Sequence, residues 1–238
     1  VTSEDLIDFT PALRQEAEEI LAGYVSGPLF TPPTVIDEGP GGTRGTVQAP
    51  GLVGGADWTG AGVDPESGML FVSTVRTPVV VGLTRSQHPR SNVDYVMQSL
   101  DIAEGPRGLP LFKPPYGRIT AIDMNAGEIV WQVPNGDGPR DHEALSGLDL
   151  APLGNYDKSG GPLLTKTLLF IGQGIEAHTL RAFDKDTGYE VFEMELPARS
   201  SSAPIAYLAG GTQYIVLAIG GGDATEQLIA LALPPSRP

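Results

Sequence analysis

The sequence predicts an all-β fold built from repeated units. A stretch from Ala121 to Trp131 occurs again from Ala182 to Phe192, so that Ala, Asp, Gly and the final aromatic residue each recur 61 residues later. A fixed period of this order marks an array of equivalent supersecondary units. In each copy, alternating apolar residues flank a polar turn that contains glycine, which is the pattern of a β-hairpin. Short antiparallel strands in such units predict a β-propeller, with about three blades visible against the four to eight that close one.

We interpret residues 1–238 as one partial propeller domain with a single N-terminal helix. The helix is expected over Thr10–Tyr24, because Thr10 is a good N-cap, Pro11 suits the first helical position, and the apolar residues that follow share one face. The expected regions are the helix and a connecting loop at 1–50, a first blade region with an insertion at 51–134, a second blade region at 135–198, and closing strands at 199–238.

Three segments carry no hydrophobic period. Residues 25–50, 83–116 and 135–160 are therefore expected to be irregular. Long ordered loops on the rim of a propeller often form the mouth of its channel. Any functional surface of this chain is expected there.

The two hairpins carry matching acidic and aromatic residues. Asp123 and Asp184 occupy equivalent turn positions. Because an Asp carboxylate accepts hydrogen bonds from the backbone of its own turn, we expect both to cap their hairpins rather than act as paired acids. Trp131 and Phe192 are expected to close each blade against its neighbour.

Composition excludes several classes of function. The chain has 15 Lys and Arg against 29 Asp and Glu, a net charge of −14, which argues against nucleic-acid binding and against docking on an anionic membrane. It has no Cys, so thiolate metal sites and thiol nucleophiles are excluded. No apolar run approaches the roughly 18 residues of a transmembrane helix. These properties agree with an extracytoplasmic domain.

Three blades leave sheet edges and apolar faces uncovered. A propeller protects its edges only when the circle closes. We therefore expect the chain to be a fragment, or one chain of a complex, whose missing N-terminal propeller half is supplied by the same gene product or a companion chain.

Several segments resemble, in order along the chain, the C-terminal part of one enzyme family, the pyrroloquinoline quinone (PQQ) dependent quinoprotein dehydrogenases, in the branch that includes membrane-bound glucose dehydrogenase. The segments that carry this resemblance are Asp8–Ala17, Gly27–Pro33, Pro50–Trp58, Pro114–Asp123, Gly160–Leu163 and Leu180–Asp184. Members of the family are periplasmic propellers of eight blades.

The resemblance implies oxidation of a sugar or alcohol hydroxyl. In the family, Ca²⁺ polarises the quinone and an Asp acts as general base, and electrons leave to a cytochrome or to membrane quinone. The family's catalytic Asp and metal ligands lie N-terminal to the segment that this chain matches. No catalytic or metal-binding residue is therefore expected here, and the chain alone is expected to be inactive.

Part of the PQQ environment is expected to remain. By resemblance, the cofactor-binding residues are Gly54, Gly55, Trp58, Gly160 and Gly161. Glycine permits close backbone approach to a planar cofactor. Trp58 also suits a packing role inside a blade, where its N–H needs an acceptor. At position 52 some relatives carry a polar residue that contacts PQQ, whereas this chain has a leucine.

The most chemically loaded loop runs from Asp137 to Glu143. Arg140 and His142 are candidates for the mouth of a substrate funnel, although a salt-bridged surface loop is the favoured interpretation. His88 and His178 have no ligand spacing and are expected to be solvated loop residues.

A second function remains open at this point. A noncatalytic propeller, similar to the periplasmic lipoproteins of outer-membrane assembly, would keep the repeat as a protein-interaction scaffold. The N-terminal helix, the Phe30–Pro33 segment and the Pro114–Gly117 segment favour the dehydrogenase, because they resemble the enzymes beyond the general blade pattern.

Overall fold

The computed structural model describes residues 1–52, 54–56, 59–156, 160–173, 177–200, 202–222 and 224–233. Within these ranges it has one α-helix, three short 3₁₀ turns and fifteen strands. The helix, α1, is Pro11–Leu21, and the turns are Ser3–Asp5, Pro106–Gly108 and Glu143–Leu145. The strands are β1 Thr34–Val35, β2 Thr46–Gln48, β3 Ala61–Asp64, β4 Met69–Val75, β5 Val79–Arg85, β6 Tyr95–Ile102, β7 Gly117–Asp123, β8 Glu128–Pro134, β9 Leu163–Leu164, β10 Leu168–Gly172, β11 Thr179–Asp184, β12 Glu190–Glu195, β13 Ile205–Ala209, β14 Thr212–Gly221 and β15 Ala224–Ala232.

The chain divides into two compact units. The first comprises Val1–Gly55, Arg76–Tyr116 and Pro139–Ala151, and the second comprises Ala56–Val75, Gly117–Gly138 and Pro152–Pro238. In the part of the chain that the structure describes, no helix is both long and apolar enough to span a bilayer.

The N-terminal helix belongs to the first unit and confirms the sequence expectation. The Thr10 hydroxyl accepts a hydrogen bond from the backbone N–H of Leu13 at 3.2 Å, which satisfies one free donor of the first turn. Leu13, Ala17 and Leu21 form the buried face. The helix ends at Leu21 rather than at the expected Tyr24.

The first unit also contains a small mixed sheet, which the sequence did not predict. Strand β5 pairs with β1 in parallel and with β2 and β6 in antiparallel fashion. The expectation that residues 25–50 and 83–116 are irregular was therefore wrong for these strands. Strands β1 and β2 have only two and three residues, too few for an alternation to be visible. Strand β6 is exposed along nearly its whole length.

The second unit contains three consecutive antiparallel sheets. The strand orders are β3-β4-β7-β8, β12-β11-β10-β9 and β13-β14-β15. Four strands in sequential antiparallel order make a propeller blade. The first two sheets are complete blades in this sense, and the third has three strands in the described residues.

Apolar clusters join these sheets face to face. One buried cluster joins the first two sheets and contains Phe71, Ile119, Ala121, Leu169, Ile171 and Phe183. A second joins the next pair and contains Leu180, Leu196, Ala198, Leu217 and Ile219. Burial of these side chains stabilises each sheet against the next, because each Leu, Ile or Phe side chain contributes about 1.5–3 kcal/mol when fully buried.

The repeated hairpins form as predicted. Asp123 accepts hydrogen bonds from two backbone N–H groups of its turn, at 2.8 and 3.2 Å. Asp184 accepts two equivalent bonds, at 3.1 and 2.9 Å. Gly127 and Gly188 follow with φ of 74° and 71°, a conformation that strongly favours glycine. Both Asp residues are turn caps.

Candidate functional site

The candidate site lies in the second unit, at the edge where the first strand of each sheet begins. We call this the start edge. Because neighbouring strands are antiparallel, the second strand of each sheet ends at the same edge and the third begins there. Loops that connect successive blades also meet at this edge.

Gly160 and Gly161 lie at the start edge and are both buried. A Cβ on Gly160 would collide with the carbonyl oxygen of Ser202, and one on Gly161 would collide with that of Thr59. The chain segments that lead into three successive sheets therefore approach each other closely here, and only glycine permits this. Trp58, which precedes Thr59, lies outside the described residues.

Gly54 and Gly55 belong to the first unit. Gly54 has φ of 77° and donates its N–H to the carbonyl oxygen of Gly51 at 2.9 Å. Gly51 in turn donates to the carbonyl oxygen of Thr77 at 3.0 Å, just before β5. These contacts explain the glycine at position 54 by turn geometry. Their role in cofactor binding stays a prediction.

A buried polar network organises the start edge. The side chain of Gln173 is fully buried and donates from Nε2 to the carbonyl oxygen of Asn135 at 3.0 Å. Its Oε1 accepts from Asn155 Nδ2 at 3.2 Å and from Thr179 Oγ1 at 3.1 Å. Asn155 Oδ1 accepts from the backbone N–H of Gly138 at 2.7 Å. Asn135, Gly138 and Asn155, which lie between the first two blades in the chain, are thereby fixed to the second blade.

Sequence reasoning missed this network. Asn155 and Gln173 stand in segments without a period, and apart from Thr179, six residues from Gln173, their partners lie 17 to 38 residues away in the chain. A buried amide is retained only where its polar atoms are paired, and such pairing is a property of the tertiary structure.

Three buried polar atoms at this edge have no hydrogen-bond partner among the described residues. They are Asn135 Oδ1, Ser200 Oγ and Ser202 Oγ. Leaving a buried polar group unpaired costs about 1–3 kcal/mol. Native proteins therefore fill such positions with water or with a ligand. The two serine hydroxyls are donors that suit an oxygen-rich ligand.

A buried ion cluster contains Asp137, the first residue of the loop that was predicted to be chemically loaded. Arg181 is buried and donates to Glu190 at 2.7 Å and to Asp137 at 3.0 Å, with Glu193 also paired to it. Burial works to lower the pKa of Arg181, but the hydrogen bond and charge of Glu190, helped by the other two carboxylates, outweigh it and raise the pKa. Asp137 thus has a structural partner, as the favoured interpretation of this loop expects.

His142 and Arg140 lie in the first unit. His142 Nδ1 accepts a hydrogen bond from the backbone N–H of Ala144 at 3.1 Å and so caps the 3₁₀ turn Glu143–Leu145. Arg140 is half-buried. His88 Nδ1 likewise accepts from the backbone N–H of Arg90 in an exposed loop. The suggested place of Arg140 and His142 at a substrate mouth stays a prediction.

Comparison with known proteins identifies the family. The family model described as "Glucose/ethanol/alcohol dehydrogenase, beta-propeller domain", which carries the label PQQ, matches residues 1–215. The chain belongs to this PQQ dehydrogenase family.

Individual relatives agree. The chain is 31% identical over 222 residues to the quinate/shikimate dehydrogenase (quinone) of Acinetobacter baylyi, a match that covers 81% of this chain and 27% of the relative. It is 29% identical over 248 residues to the glycerol dehydrogenase large subunit of Gluconobacter thailandicus, covering 90% of this chain and 32% of that subunit. The chain therefore spans less than a third of the length of either PQQ-family relative.

The fold is confirmed by a solved structure. A europium-containing methanol dehydrogenase superposes with a TM-score of 0.53 at 21% identity, over 75% of this chain and 27% of that one. This likeness supports the propeller fold expected for the PQQ family.

The family implies two bound groups, PQQ and Ca²⁺, and the described residues offer hydrogen-bond donors suited to the first of them. Ser200 and Ser202 offer buried hydroxyl donors beside the closely packed segment at Gly160, and such donors match the carbonyl and carboxylate oxygens of PQQ. For Ca²⁺, the described residues contain no cluster of three His, Asp or Glu side chains that could hold a metal ion. We derive no step through a metal from this chain.

Proposed function

We propose that this chain is the C-terminal part of a PQQ-dependent dehydrogenase that oxidises a hydroxyl group of a sugar, an alcohol or a related polyol. The observation that carries this proposal is the family match over residues 1–215. The unpaired donors at the start edge support it, because they provide hydrogen-bonding capacity that no described residue uses.

In this proposal the chain holds one wall of the cofactor site. The hydroxyls of Ser200 and Ser202 donate hydrogen bonds to oxygen atoms of the bound cofactor. Gly160 and Gly161 keep the neighbouring chain segments close enough to exclude water from that wall. Gln173 and its buried partners fix the loop above it before the cofactor binds, so little ordering is required on binding.

When bound, PQQ would supply the two-electron acceptor needed to oxidise the substrate hydroxyl to a carbonyl group. The general base and the Ca²⁺ ligands are supplied by the N-terminal propeller half, either in the same gene product or in a companion chain. Electrons then pass to a cytochrome or to membrane quinone. We place the enzyme outside the cytoplasm, in the periplasm or an equivalent compartment.

The proposal is tested by cofactor binding to the full-length apoprotein that contains this chain. PQQ is titrated in the presence of Ca²⁺ and followed by protein fluorescence, and dye-linked oxidation of glucose, glycerol, ethanol and quinate is then measured. Retention of PQQ after desalting, with reduction of the dye by at least one substrate, is the expected result. Failure to retain PQQ contradicts the proposal and leaves a scaffolding role.

The double variant Ser200→Ala, Ser202→Ala tests the wall itself. Each lost hydrogen bond to a charged oxygen is worth about 1.5–3 kcal/mol, so loss of both is expected to raise the Kd for PQQ about a hundredfold or more. The matched control is Ser146→Ala, at an exposed position in the first unit, which should leave the Kd unchanged. Equal PQQ affinity in both variants would remove the two serines from the site.

A further inference from the structure

Strand β6 presents an unprotected sheet edge. Among the described residues it pairs with β5 only, and every one of its residues except Ser99 is exposed. It carries no Lys, Arg or Pro, and its one charged residue is Asp101. Exposed edge strands normally carry charge, proline or a cover, because their free N–H and C=O groups pair readily with another strand.

A β-bulge aligns the apolar residues of this strand. The register between β5 and β6 shifts between Gly82 and Leu83, which leaves Gln98 without a direct partner. On either side of the bulge, four apolar residues stand opposite alternate residues of β5 and therefore share one face of the sheet. These residues, which we call the apolar stripe, are Tyr95, Met97, Leu100 and Ile102.

The backbone groups of the stripe point away from β5. Ser86 donates its N–H to the carbonyl oxygen of Asp94 at 2.9 Å, and Ala103 donates to that of Pro78 at 3.1 Å. In an antiparallel pair, bonding toward the partner alternates along the strand. Counting inward from these two bonds, the N–H and C=O groups of all four stripe residues face the open edge.

The stripe is symmetric about its centre. Its side chains are 42%, 52%, 40% and 62% exposed, in chain order, and their spacing is the same when read in either direction from the Gln98–Ser99 bond. An antiparallel second copy, with its two-fold axis at that bond, sets Met97 opposite Leu100 and Tyr95 opposite Ile102. Every stripe residue then meets an apolar partner and every outward backbone group meets a complementary one.

Charges are compatible with this pairing. In the same register Asp101 stands opposite Val96 of the second copy, and Asp94 stands opposite Ala103. No like charges stand directly opposite each other across the two strands, so this register avoids the destabilisation that like-charged pairs cause. We propose that β6 is the interface of a two-fold symmetric dimer in which the two apolar stripes pair as an antiparallel, continuous sheet.

Sedimentation velocity of the full-length holoprotein over a range of concentrations tests the interface. The wild type is expected to dimerise. Met97→Lys places a charge in the stripe of both copies and is expected to raise the dimer Kd about a hundredfold or more, since two buried Met side chains are lost. The matched control, Val96→Lys, lies on the other face opposite Asp101 of the second copy and should keep the dimer. A monomeric wild type, as would follow if another segment or protein covers β6, overturns the proposal, and so does a dimer that Met97→Lys leaves intact.

Cross-linking tests the register independently of stability. The chain has no Cys, so introduced thiols report only the intended contact. Gln98→Cys and Ser99→Cys proteins are prepared separately and then mixed under oxidising conditions. Because position 98 faces position 99 of the second copy, the mixture should give far more covalent dimer than either variant alone. Equal yields in the mixture and in the separate samples overturn the register and hence the symmetric stripe.

Discussion

The two copies of the repeated hairpin, residues 121–131 and 182–192, form the same turn in different surroundings. In both, an Asp carboxylate caps the turn and a glycine follows at positive φ. Gly188, however, is buried against Trp131 of the preceding blade, whereas a Cβ on Gly127 would meet no atom within 4 Å among the described residues.

The closing aromatic residues show the same contrast. Trp131 packs on the cluster between the first two sheets, and its Nε1 donates to the carbonyl oxygen of Lys185 at 3.0 Å. Phe192, which was expected to close its blade in the same way, is 48% exposed, so that expectation was wrong for the described part of the chain. A repeated motif thus fixes the local turn, but its contribution to stability depends on which blade lies beside it.

The largest contrast is expected at the aromatic position. Trp131→Ala should lower the free energy of unfolding by about 3–5 kcal/mol, because it opens a cavity in an inter-blade cluster and leaves a carbonyl unpaired. Phe192→Ala should cost about 1 kcal/mol or less, since half of its side chain is already in water. Chemical denaturation of the full-length protein measures both. Equal losses would show that the blades at the two positions are equivalent.

The turn glycines should differ next. Gly188→Ala strains the backbone at positive φ and also places the new Cβ 2.8 Å from the Trp131 ring. The free energy of unfolding is expected to fall by about 2–4 kcal/mol. Gly127→Ala carries only the backbone strain, about 1–2 kcal/mol. Thermal unfolding of the two variants side by side checks the difference. A larger loss at Gly127 would contradict the packing described for Trp131.

The residue that follows the turn Asp is charged in the second copy of the hairpin and apolar in the first. Lys185 is buried and donates to Asp64 of the first blade at 2.7 Å, whereas the equivalent Met124 is 58% exposed. The Lys185 hydrogen bond, with that of the Glu66 backbone, lowers the pKa of Asp64 to about 2. Because this folded-state pKa lies below the unfolded one, the stabilisation is present above pH 4 and is lost as the pH falls through about 2.

Lys185→Met gives the second copy the residue of the first and tests this ion pair. The variant should be less stable than the wild type at pH 7. The difference between their free energies of unfolding should shrink as the pH falls from 4 to 2, where Asp64 becomes protonated in the wild type. Urea unfolding at pH 7, 4, 3 and 2 measures the gap. The control is Met124→Leu at the exposed equivalent position. A gap that does not change with pH would assign the loss to packing alone.

The capping Asp residues should show the smallest difference. Asp123→Ala and Asp184→Ala each remove two backbone hydrogen bonds, and Asp184→Ala also removes the bond from the Thr187 hydroxyl, so the melting temperature should fall by similar amounts and slightly more for Asp184→Ala. Hydrogen bonds lower the pKa of Asp184, chiefly that from the Thr187 hydroxyl. The Asp184 contribution should therefore fade at acid pH, which differential scanning fluorimetry at pH 7 and pH 3 can detect. A much larger effect at either position would indicate a second role for that carboxylate.

Local and repetitive features were accessible from sequence. The turns at Asp123 and Asp184, the helix that begins after Thr10, and the closure by Trp131 follow from residue preference and period. The mixed sheet around β5 was not accessible, because its short strands show no alternation. The Gln173 network and the Arg181 cluster depend on residues brought together only by folding. For the site, Gly160 and Gly161 were predicted and lie at the start edge, but the unpaired serines were not.

Native mass spectrometry of the purified full-length protein tests the central claim most directly. The proposal predicts a mass that includes one PQQ for each copy of this chain, together with the N-terminal propeller half, and loss of the PQQ mass in the Ser200→Ala, Ser202→Ala variant but not in Ser146→Ala. A wild-type mass without PQQ after reconstitution with the cofactor and Ca²⁺ would contradict the proposal that this propeller serves a dehydrogenase.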